Sequence, residues 1–168
     1  MTIQINGANG LTFPDTSSQA VAGYTPVRPQ SGGVIQTVQA TASTQTVTNS
    51  GSMVNTALTA SITPKFSTSK ILISVCTNLY GGTGGQLAAL GLNRNSTLVW
   101  YPNVDSGGKY YMNSTGAWTP ASFVYLDSPA TTSSTTYTVQ VAAYTAGGSA
   151  VNQGGNGISV IILQEIAA

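Results

Sequence analysis

Apolar and polar residues alternate over short runs along most of this chain of 168 residues. Such alternation is the pattern of a β-strand with one buried face, and no window of a dozen residues repeats with the period of a helix. Runs rich in Gly, Ser, Thr and Asn separate the alternating stretches, as turns do. The pattern therefore predicts an all-β fold, an antiparallel β-sandwich or jelly roll, with strands at Val34–Ala40, Ala57–Ile62, Leu98–Tyr101, Ala117–Leu126, Thr136–Tyr144 and Ile158–Ile166.

Two stretches depart from simple alternation. Ile71–Val75 is apolar at nearly every position, which is typical of a central strand covered on both faces. Cys76 continues that run, and we expect it to be a small buried core residue. Leu87–Leu92 fits either a helix or a strand. The neighbouring glycines and a turn predicted at Asn93–Asn95 favour the strand.

The chain divides into three parts. Residues 1–20 contain two short amphipathic strands with Asn-Gly turn dipeptides between them. They are too short to bury their own apolar side chains, so we interpret them as an attachment segment that needs a partner. Residues 21–33 contain two prolines and a Gly pair, and they form a semi-stiff linker. Residues 34–168 are long enough to bury a core and are predicted to be the β-sandwich head domain.

Charged residues make up only 5% of the chain, against about 25% in an ordinary soluble domain. A surface so poor in charge suits a chain that packs against copies of itself or within a large assembly, because buried charges are costly there. A secreted domain with few charges is the alternative. The net charge of +1 gives no electrostatic footprint for nucleic acid. We expect neither a secretory signal nor membrane insertion.

The residue types argue against an enzyme. The chain has no histidine and one cysteine, which excludes the Ser-His-Asp arrangement and a zinc site built from one chain. We therefore expect no catalytic residue, metal or cofactor. Glycosidases need two carboxyl groups about 5–9.5 Å apart, and the chain has only four acidic residues. We expect Asp127 to serve a turn or cap and Glu165 to lie on the surface, although a pair assembled across subunits stays open.

The N-terminal segment resembles one found in tailed-phage tail fibres and other virion structural proteins, whose usual form is Gly-Leu-x-Phe-Pro-Asp-Gly-Thr-x-Gln. Here Gly10, Leu11, Phe13, Pro14, Asp15 and Gln19 match that form. The usual Gly and Thr after the aspartate are Thr16 and Ser17 in this chain. Three further stretches resemble the head domain of such proteins, and they are Ser61–Pro64 with Ser69–Ile73, Leu126–Thr132, and Ile162–Ala167.

The resemblance implies a homotrimeric virion protein that is assembled in the host cytoplasm. Its N-terminal segment would dock to other virion proteins of the tail, baseplate or capsid through Leu11, Phe13, Pro14 and Asp15, and its head would face outward. The first hypothesis is a short tail fibre for host attachment. A capsid decoration protein that stabilises the head is the alternative, and a polysaccharide-degrading spike is the second alternative.

Aromatic residues concentrate between positions 100 and 118. In a receptor-binding fibre, such rings could stack on the sugars of a host surface glycan while Asn103 and Asp105 bind hydroxyl groups. The candidate receptor contacts are Tyr101, Asn103, Asp105, Tyr110 and Tyr111. For Trp100 and Trp118 we favour a place in the core or at a subunit interface. For Tyr110 and Tyr111, exposure and burial at an interface are both open.

Overall fold

The structure, a computed structural model, describes residues 4–6, 10–12, 18–19, 30–81, 86–101, 110–112, 118–143, 150–152 and 157–168. These residues form strands and connecting turns and contain no helix that could cross a membrane. The strands are β1 Gln4–Asn6, β2 Gly10–Thr12, β3 Ser18–Gln19, β4 Val34–Ala42, β5 Thr46–Thr48, β6 Val54–Ile62, β7 Lys70–Gly81, β8 Gln86–Arg94, β9 Thr97–Trp100, β10 Tyr110–Met112, β11 Trp118–Asp127, β12 Thr135–Ala143, β13 Ala150–Asn152 and β14 Ser159–Ile166.

The first three strands form a small antiparallel sheet of their own. In this sheet Leu11 pairs with Ile5 on one side and with Gln19 on the other. The alternating N-terminal residues thus adopt the short strands that their pattern predicts. Phe13, Pro14 and Asp15 lie outside the described residues. The division of the chain at residues 20 and 33 stays a prediction.

The other strands form two antiparallel sheets. The six-stranded sheet has the order β4-β14-β7-β13-β5, with β11 also paired to β7. The five-stranded sheet has the order β10-β8-β12-β6, with β9 also paired to β8. Strands β13 and β14 pair with successive parts of β7, and β9 and β10 pair with successive parts of β8. Strands β13 and β14 therefore lie end to end, as do β4 and β5, and β9 and β10. If each such pair is counted as one row, each sheet has four rows of strands.

The order of these rows identifies the fold. When the eight rows are numbered along the chain, the six-stranded sheet has the order 1-8-3-6 and the five-stranded sheet has the order 2-7-4-5. This is the double-sheet arrangement of a jelly roll. The predicted all-β sandwich is therefore confirmed, and the strand order selects the jelly roll.

The core lies between the two sheets. Alternate residues of β7 point into it, among them Ile71, Ile73 and Leu79, and all three are fully buried. Trp100 stacks on Phe123 across the core with ring centroids 4.3 Å apart. Burial of one such large apolar side chain contributes about 1.5–3 kcal/mol. The five-stranded sheet contributes Leu58, Ala60, Ile62, Leu90, Leu92, Tyr137, Val139 and Val141.

The ambiguous run Leu87–Leu92 lies in strand β8, as its glycine neighbours predict. The turn that follows is at Asn95 and Ser96. It begins two residues later than the turn expected at Asn93–Asn95, because Asn93 and Arg94 still belong to β8. Both turn residues have positive φ, 47° and 72°, which is the backbone of a two-residue type I′ hairpin. The Asn95 side-chain oxygen accepts a hydrogen bond from the Thr136 backbone at 2.8 Å and stabilises the turn.

The expectation that Ile71–Val75 is covered on both faces is wrong. Only the odd-numbered side chains of this run are buried, while Leu72 and Ser74 are half-buried on the outer side of the sheet. Cys76 shares that outer side and is exposed, so it is not a core residue. The physical reason is the two-residue period of the strand, which sends every second apolar side chain away from the core.

A buried carboxylate joins the two sheets at one end. Asp127 of β11 accepts hydrogen bonds from Arg94 Nη1 of β8 at 2.9 and 2.8 Å and from the Tyr137 hydroxyl of β12 at 2.7 Å. The side chain of Asp127 is only 7% exposed. The expected turn or cap role for Asp127 is therefore wrong, because this carboxylate holds β11 against the opposite sheet.

A second carboxylate is fully buried at the same end. Glu165 accepts hydrogen bonds from the backbone N–H groups of Lys65 at 2.8 Å and Phe66 at 3.2 Å, and from the Gln36 side chain at 2.6 Å. The expected surface position of Glu165 is wrong, because strand β14 directs Ser159, Ile161, Leu163 and Glu165 inward. These bonds offset the cost of burying the charge and fix the connection between β6 and β7.

We expect Tyr137→Phe to lower the free energy of unfolding by about 2 kcal/mol, because it removes a buried hydrogen bond to a charged group. Asp127→Asn is expected to cost about 3 kcal/mol, because it leaves the partly buried Arg94 without its counter-charge. Urea unfolding followed by circular dichroism measures both. Tyr80→Phe is the matched control, since Tyr80 lies near the end of β7 opposite to Ile71, the residue paired with Asp127. An equal loss in the control would contradict the assignment.

Tyr137 also predicts a pH dependence. Its burial, and secondarily its hydrogen bond to Asp127, raise its pKa above the ordinary value of 10.0. Above pH 10.0 the Tyr137 hydroxyl loses its proton in the unfolded chain but keeps it in the native chain. The free energy of unfolding therefore falls by about 1.4 kcal/mol per pH unit for this one group. Below that pH the contribution is fully present. Unfolding measured from about pH 9 to about pH 11 should therefore show a shallower loss in Tyr137→Phe than in the wild type.

Candidate functional site

The strands of the head end at two opposite poles. We call the pole around Gly32, Lys70, Asp127 and Ala167 the base, because β7 begins there and β11 and β14 end there. The opposite pole, where β7 ends and β11 begins, is the tip. At the base, Asp127 of one sheet contacts Arg94 and Tyr137 of the other. At the tip, the Ala143 N–H donates to the Ser50 carbonyl at 2.8 Å. The same poles are therefore shared by both sheets.

The chain enters the head at the base. The Gly32 N–H donates to the Ala167 carbonyl at 2.7 Å, and the Ala167 N–H donates to the Gly33 carbonyl at 2.9 Å. Gly32 has φ of +86°, a conformation that favours glycine. These bonds pair the start of the head with its C-terminal residues. The preceding segment, which carries the predicted attachment residue Leu11, thus joins the head at this pole.

The aromatic residues between positions 100 and 118 do not form one cluster. Trp100 packs against the core, as predicted for it. Trp118 lies at the tip on the outer side of the six-stranded sheet, 42% exposed, with its ring centroid 4.6 Å from that of Tyr80. Trp118 is therefore not a core residue. Its place at a subunit interface stays a prediction.

Three of the five predicted receptor contacts share one sheet edge. Tyr101 follows β9 and is 51% exposed. Tyr110 and Tyr111 lie in β10, which pairs through Ala88 and Leu87 with the tip half of β8. Since β9 and β10 occupy the same row, the three tyrosines belong to one edge of the five-stranded sheet. Asn103 and Asp105 lie outside the described residues.

Part of the outer side of the six-stranded sheet is apolar, on strands β7, β11 and β14, a feature that was not predicted. The outward residues of the neighbouring strand β4 are the polar Thr37, Gln39 and Thr41. We call the apolar part the apolar face and define it by the outward side chains Leu72, Trp118, Val124, Leu126, Val160 and Ile162. Val124 is 65% and Leu126 48% exposed. The sheet register places Ser74 between Val124 and Ile162 in adjacent strands. Three of the four rows therefore contribute to one continuous surface.

A shallow trough runs through the apolar face. The residues that line it include Ser74, Cys76, Ser122, Val124, Val160 and Ile162. The depression has a volume of about 400 Å³, including the part open to solvent. Almost all of its lining is apolar, so the trough suits an apolar side chain better than a charged or strongly polar ligand.

The two outer faces of the jelly roll differ in polarity. On the five-stranded sheet, hydroxyl groups pair across strands, Thr59 with Thr138 at 3.0 Å and Ser61 with Thr136 at 2.7 Å. That face is already hydrogen-bonded and suits water. Within the described part of the chain, the apolar face has one charged outward side chain, that of Lys70, which lies at the base.

The described acidic side chains of the head have structural partners. Asp127 and Glu165 are both buried and hydrogen-bonded. No group of three His, Cys, Asp or Glu side chains within the described ranges could hold a metal ion. The absence of enzymatic activity stays a prediction.

The outward residues of β7 and β14 carried a sequence signal for the apolar face. Both strands are apolar at odd and at even positions, in Ile71–Val75 and Val160–Leu163. A strand buried on one face only would alternate more strictly. The same signal predicts a strand covered on both faces, whereas the structure buries only one of them.

No protein-family model and no curated protein matches the chain. Solved structures of infectious bursal disease virus proteins are similar in part. The VP2 subviral particle has 15% identity and a TM-score of 0.45, covering 79% of this chain and 37% of that chain. The Gt strain structure has 10% identity and a TM-score of 0.47, covering 99% of this chain and 47% of that one. This chain thus spans less than half of their length, and the fold assignment rests on the strand order.

Proposed function

We propose that this chain is a non-enzymatic structural protein of a virus particle, and more narrowly a short trimeric tail fibre that attaches a tailed phage to its host. The observation that carries the proposal is that the two ends of the head differ in what they carry. The N-terminal segment joins it at the base through Gly32 and Gly33, whereas Tyr110 and Tyr111 pair with the tip half of β8. An attachment protein needs this separation of its docking end from its receptor end.

The exposed edge of the five-stranded sheet supports a receptor role. Tyr101 offers half of its surface to solvent, and Tyr and Trp rings combine a flat apolar face with a polar group. Such rings bind sugars by stacking on their apolar faces. A host surface glycan is therefore the proposed ligand of Tyr101, Tyr110 and Tyr111, with Asn103 and Asp105 as the proposed hydroxyl-binding residues.

The buried carboxylates support a non-enzymatic role. A glycosidase needs a free acid and a free base or nucleophile. Asp127 and Glu165 are instead engaged with Arg94, Tyr137, Gln36 and backbone N–H groups. The polysaccharide-degrading spike is thereby the least supported of the three hypotheses.

A capsid decoration protein is the second candidate, and the apolar face favours it. A clamp between capsid subunits needs a broad surface free of charge, and the outward residues of the six-stranded sheet offer one. In that case the tip would have no receptor to bind. The two roles share the fold and the docking segment, and they differ in the number of copies in each particle.

The copy number of the protein in purified particles distinguishes the two candidates. Quantitative mass spectrometry against the major capsid protein should give a ratio far below one for a tail fibre. A ratio near that of the capsid protein would instead establish the decoration role. Particles that lack the protein altogether would contradict both.

Removal of residues 1–20 tests the docking segment. The described hydrophobic core lies entirely between Val38 and Leu163, so the truncated chain should fold and form the same trimer. Because the proposed docking residues Leu11, Phe13, Pro14 and Asp15 are lost, the truncated chain should no longer join particles. The measurement is immunoblotting of purified particles, with the full-length chain as the control. Normal incorporation of the truncated chain would refute the docking role.

A further inference from the structure

We propose that the paired strands β4 and β14 form a shear clamp, a ladder of hydrogen bonds that keeps the head folded when it is pulled between its base and its tip. The inference deepens the proposed function and rests on it only for the origin of the load. An attachment protein is loaded in this direction because it is docked at one end and bound to the host at the other. The clamp itself follows from the strand pairing within one chain.

Load from the N-terminal segment enters the head through β4. The chain reaches Val34, the first residue of β4, directly from Gly33 at the base. Among the described strands, β4 pairs only with β14, from Val34 with Ile166 at the base to Ala42 with Ser159 toward the tip. A pull on the N-terminal segment is therefore passed to the six-stranded sheet through the pairing of β4 with β14.

The direction of the pull decides how such a ladder responds. The hydrogen bonds of an antiparallel pair lie perpendicular to its two strands. When the strands are pulled along their axes in opposite directions, all the bonds are loaded together and must break together. When the strands are pulled apart from a shared end, the bonds break one after another, and each step requires little force.

A pull between the base and the tip loads this ladder in shear. Strand β4 runs from the base to the tip, and β14 runs from the tip to the base. If the tip is held while the start of β4 is pulled away from it, the load falls on eight paired positions at once. Strand β14 is also paired at seven positions with β7, so the load spreads to an interior strand of the sheet.

The side chain of Gln36 reinforces the clamp. Its Nε2 donates to the Glu165 carboxylate of β14 at 2.6 Å and to the carbonyl of Thr63, which follows β6, at 2.8 Å. Glu165 is itself held by the backbone N–H groups of Lys65 and Phe66. Gln36 thus connects β4 to its partner strand and to the opposite sheet by bonds that a pull between base and tip loads together with the ladder.

The same two strands also offer a weak direction. The end of β14 lies beside the start of β4 at the base, where Gly32 donates to Ala167 and Ala167 donates to Gly33. A pull between the N-terminal segment and the C-terminal residue breaks these bonds first and then separates β4 from β14 one pair at a time. The head should therefore resist load between its base and tip better than load between its own termini.

The test pulls single full-length chains with optical tweezers through two alternative pairs of cysteine handles. Gln30→Cys with Ile158→Cys loads β4 and β14 from opposite ends, and Gln30→Cys with Ala168→Cys loads them from the same end. All three positions are exposed, and Cys76→Ser removes the exposed native thiol from both variants. The unfolding force should be about threefold higher for the first pair, because the bonds of the ladder must break together.

Two controls separate the direction of the load from other effects. Urea unfolding followed by circular dichroism should give both handle variants the same free energy of unfolding. With the first pair of handles, Gln36→Met should lower the unfolding force by about one fifth, since it removes two bonds that act beside about eight of the ladder. Gln39→Met is the matched control and should keep the force, because Gln39 is an exposed residue of the same strand.

Equal forces in the two directions, or a lower force between positions 30 and 158, would overturn the clamp. An unchanged force in Gln36→Met would overturn the role of Gln36 in it. The outcome is separate from the test of function, since it uses single chains without particles. A force that depends on direction in a chain absent from particles supports the clamp and refutes the function. Equal forces in a chain present at low copy number support the function and refute the clamp.

Discussion

Each sheet of this head can bury only one of its two faces against the other sheet, and the remaining architecture follows from that constraint. The inward side chains, from Ile71 and Ile73 to Val139 and Leu163, form one continuous core. The outward side chains must then meet either water or another molecule. The five-stranded sheet covers its outer side with paired hydroxyl and amide groups, whereas the six-stranded sheet leaves apolar side chains there. The two outer faces are therefore suited to different surroundings.

Two described carboxylates of the head stabilise one pole. Asp127 joins β11 to the opposite sheet, and Glu165 fixes the connection between β6 and β7. Both lie at the base, where Gly32 and Gly33 also pair with Ala167. Buried hydrogen bonds thus stabilise the pole at which the N-terminal segment joins the head. The apolar face, apart from Lys70 at its base end, has no charged outward side chain within the described part of the chain.

The proposed roles divide the molecule into three functional regions. In these roles the base would receive the docking segment, the apolar face would meet another molecule, and the edge that contains Tyr101, Tyr110 and Tyr111 would be left for a receptor. These regions do not overlap, because the tyrosines lie on the five-stranded sheet and the apolar face on the six-stranded one. A molecule bound to the apolar face would therefore leave the tyrosine edge accessible.

The sequence by itself determined the all-β class and the positions of the main strands, because the two-residue period of apolar positions is a local property of the chain. It left Trp100 either in the core or at a subunit interface, and the structure packs it against the core. The order of the rows, and with it the jelly roll, came from long-range pairing that no local pattern encodes. The same limit explains the errors at Asp127, Glu165 and Cys76. Whether a side chain points inward depends on which face of its strand meets the other sheet, and a run that is apolar on both faces does not reveal which one is covered. Only the tertiary structure showed that Leu72, Val124 and Ile162 face outward together.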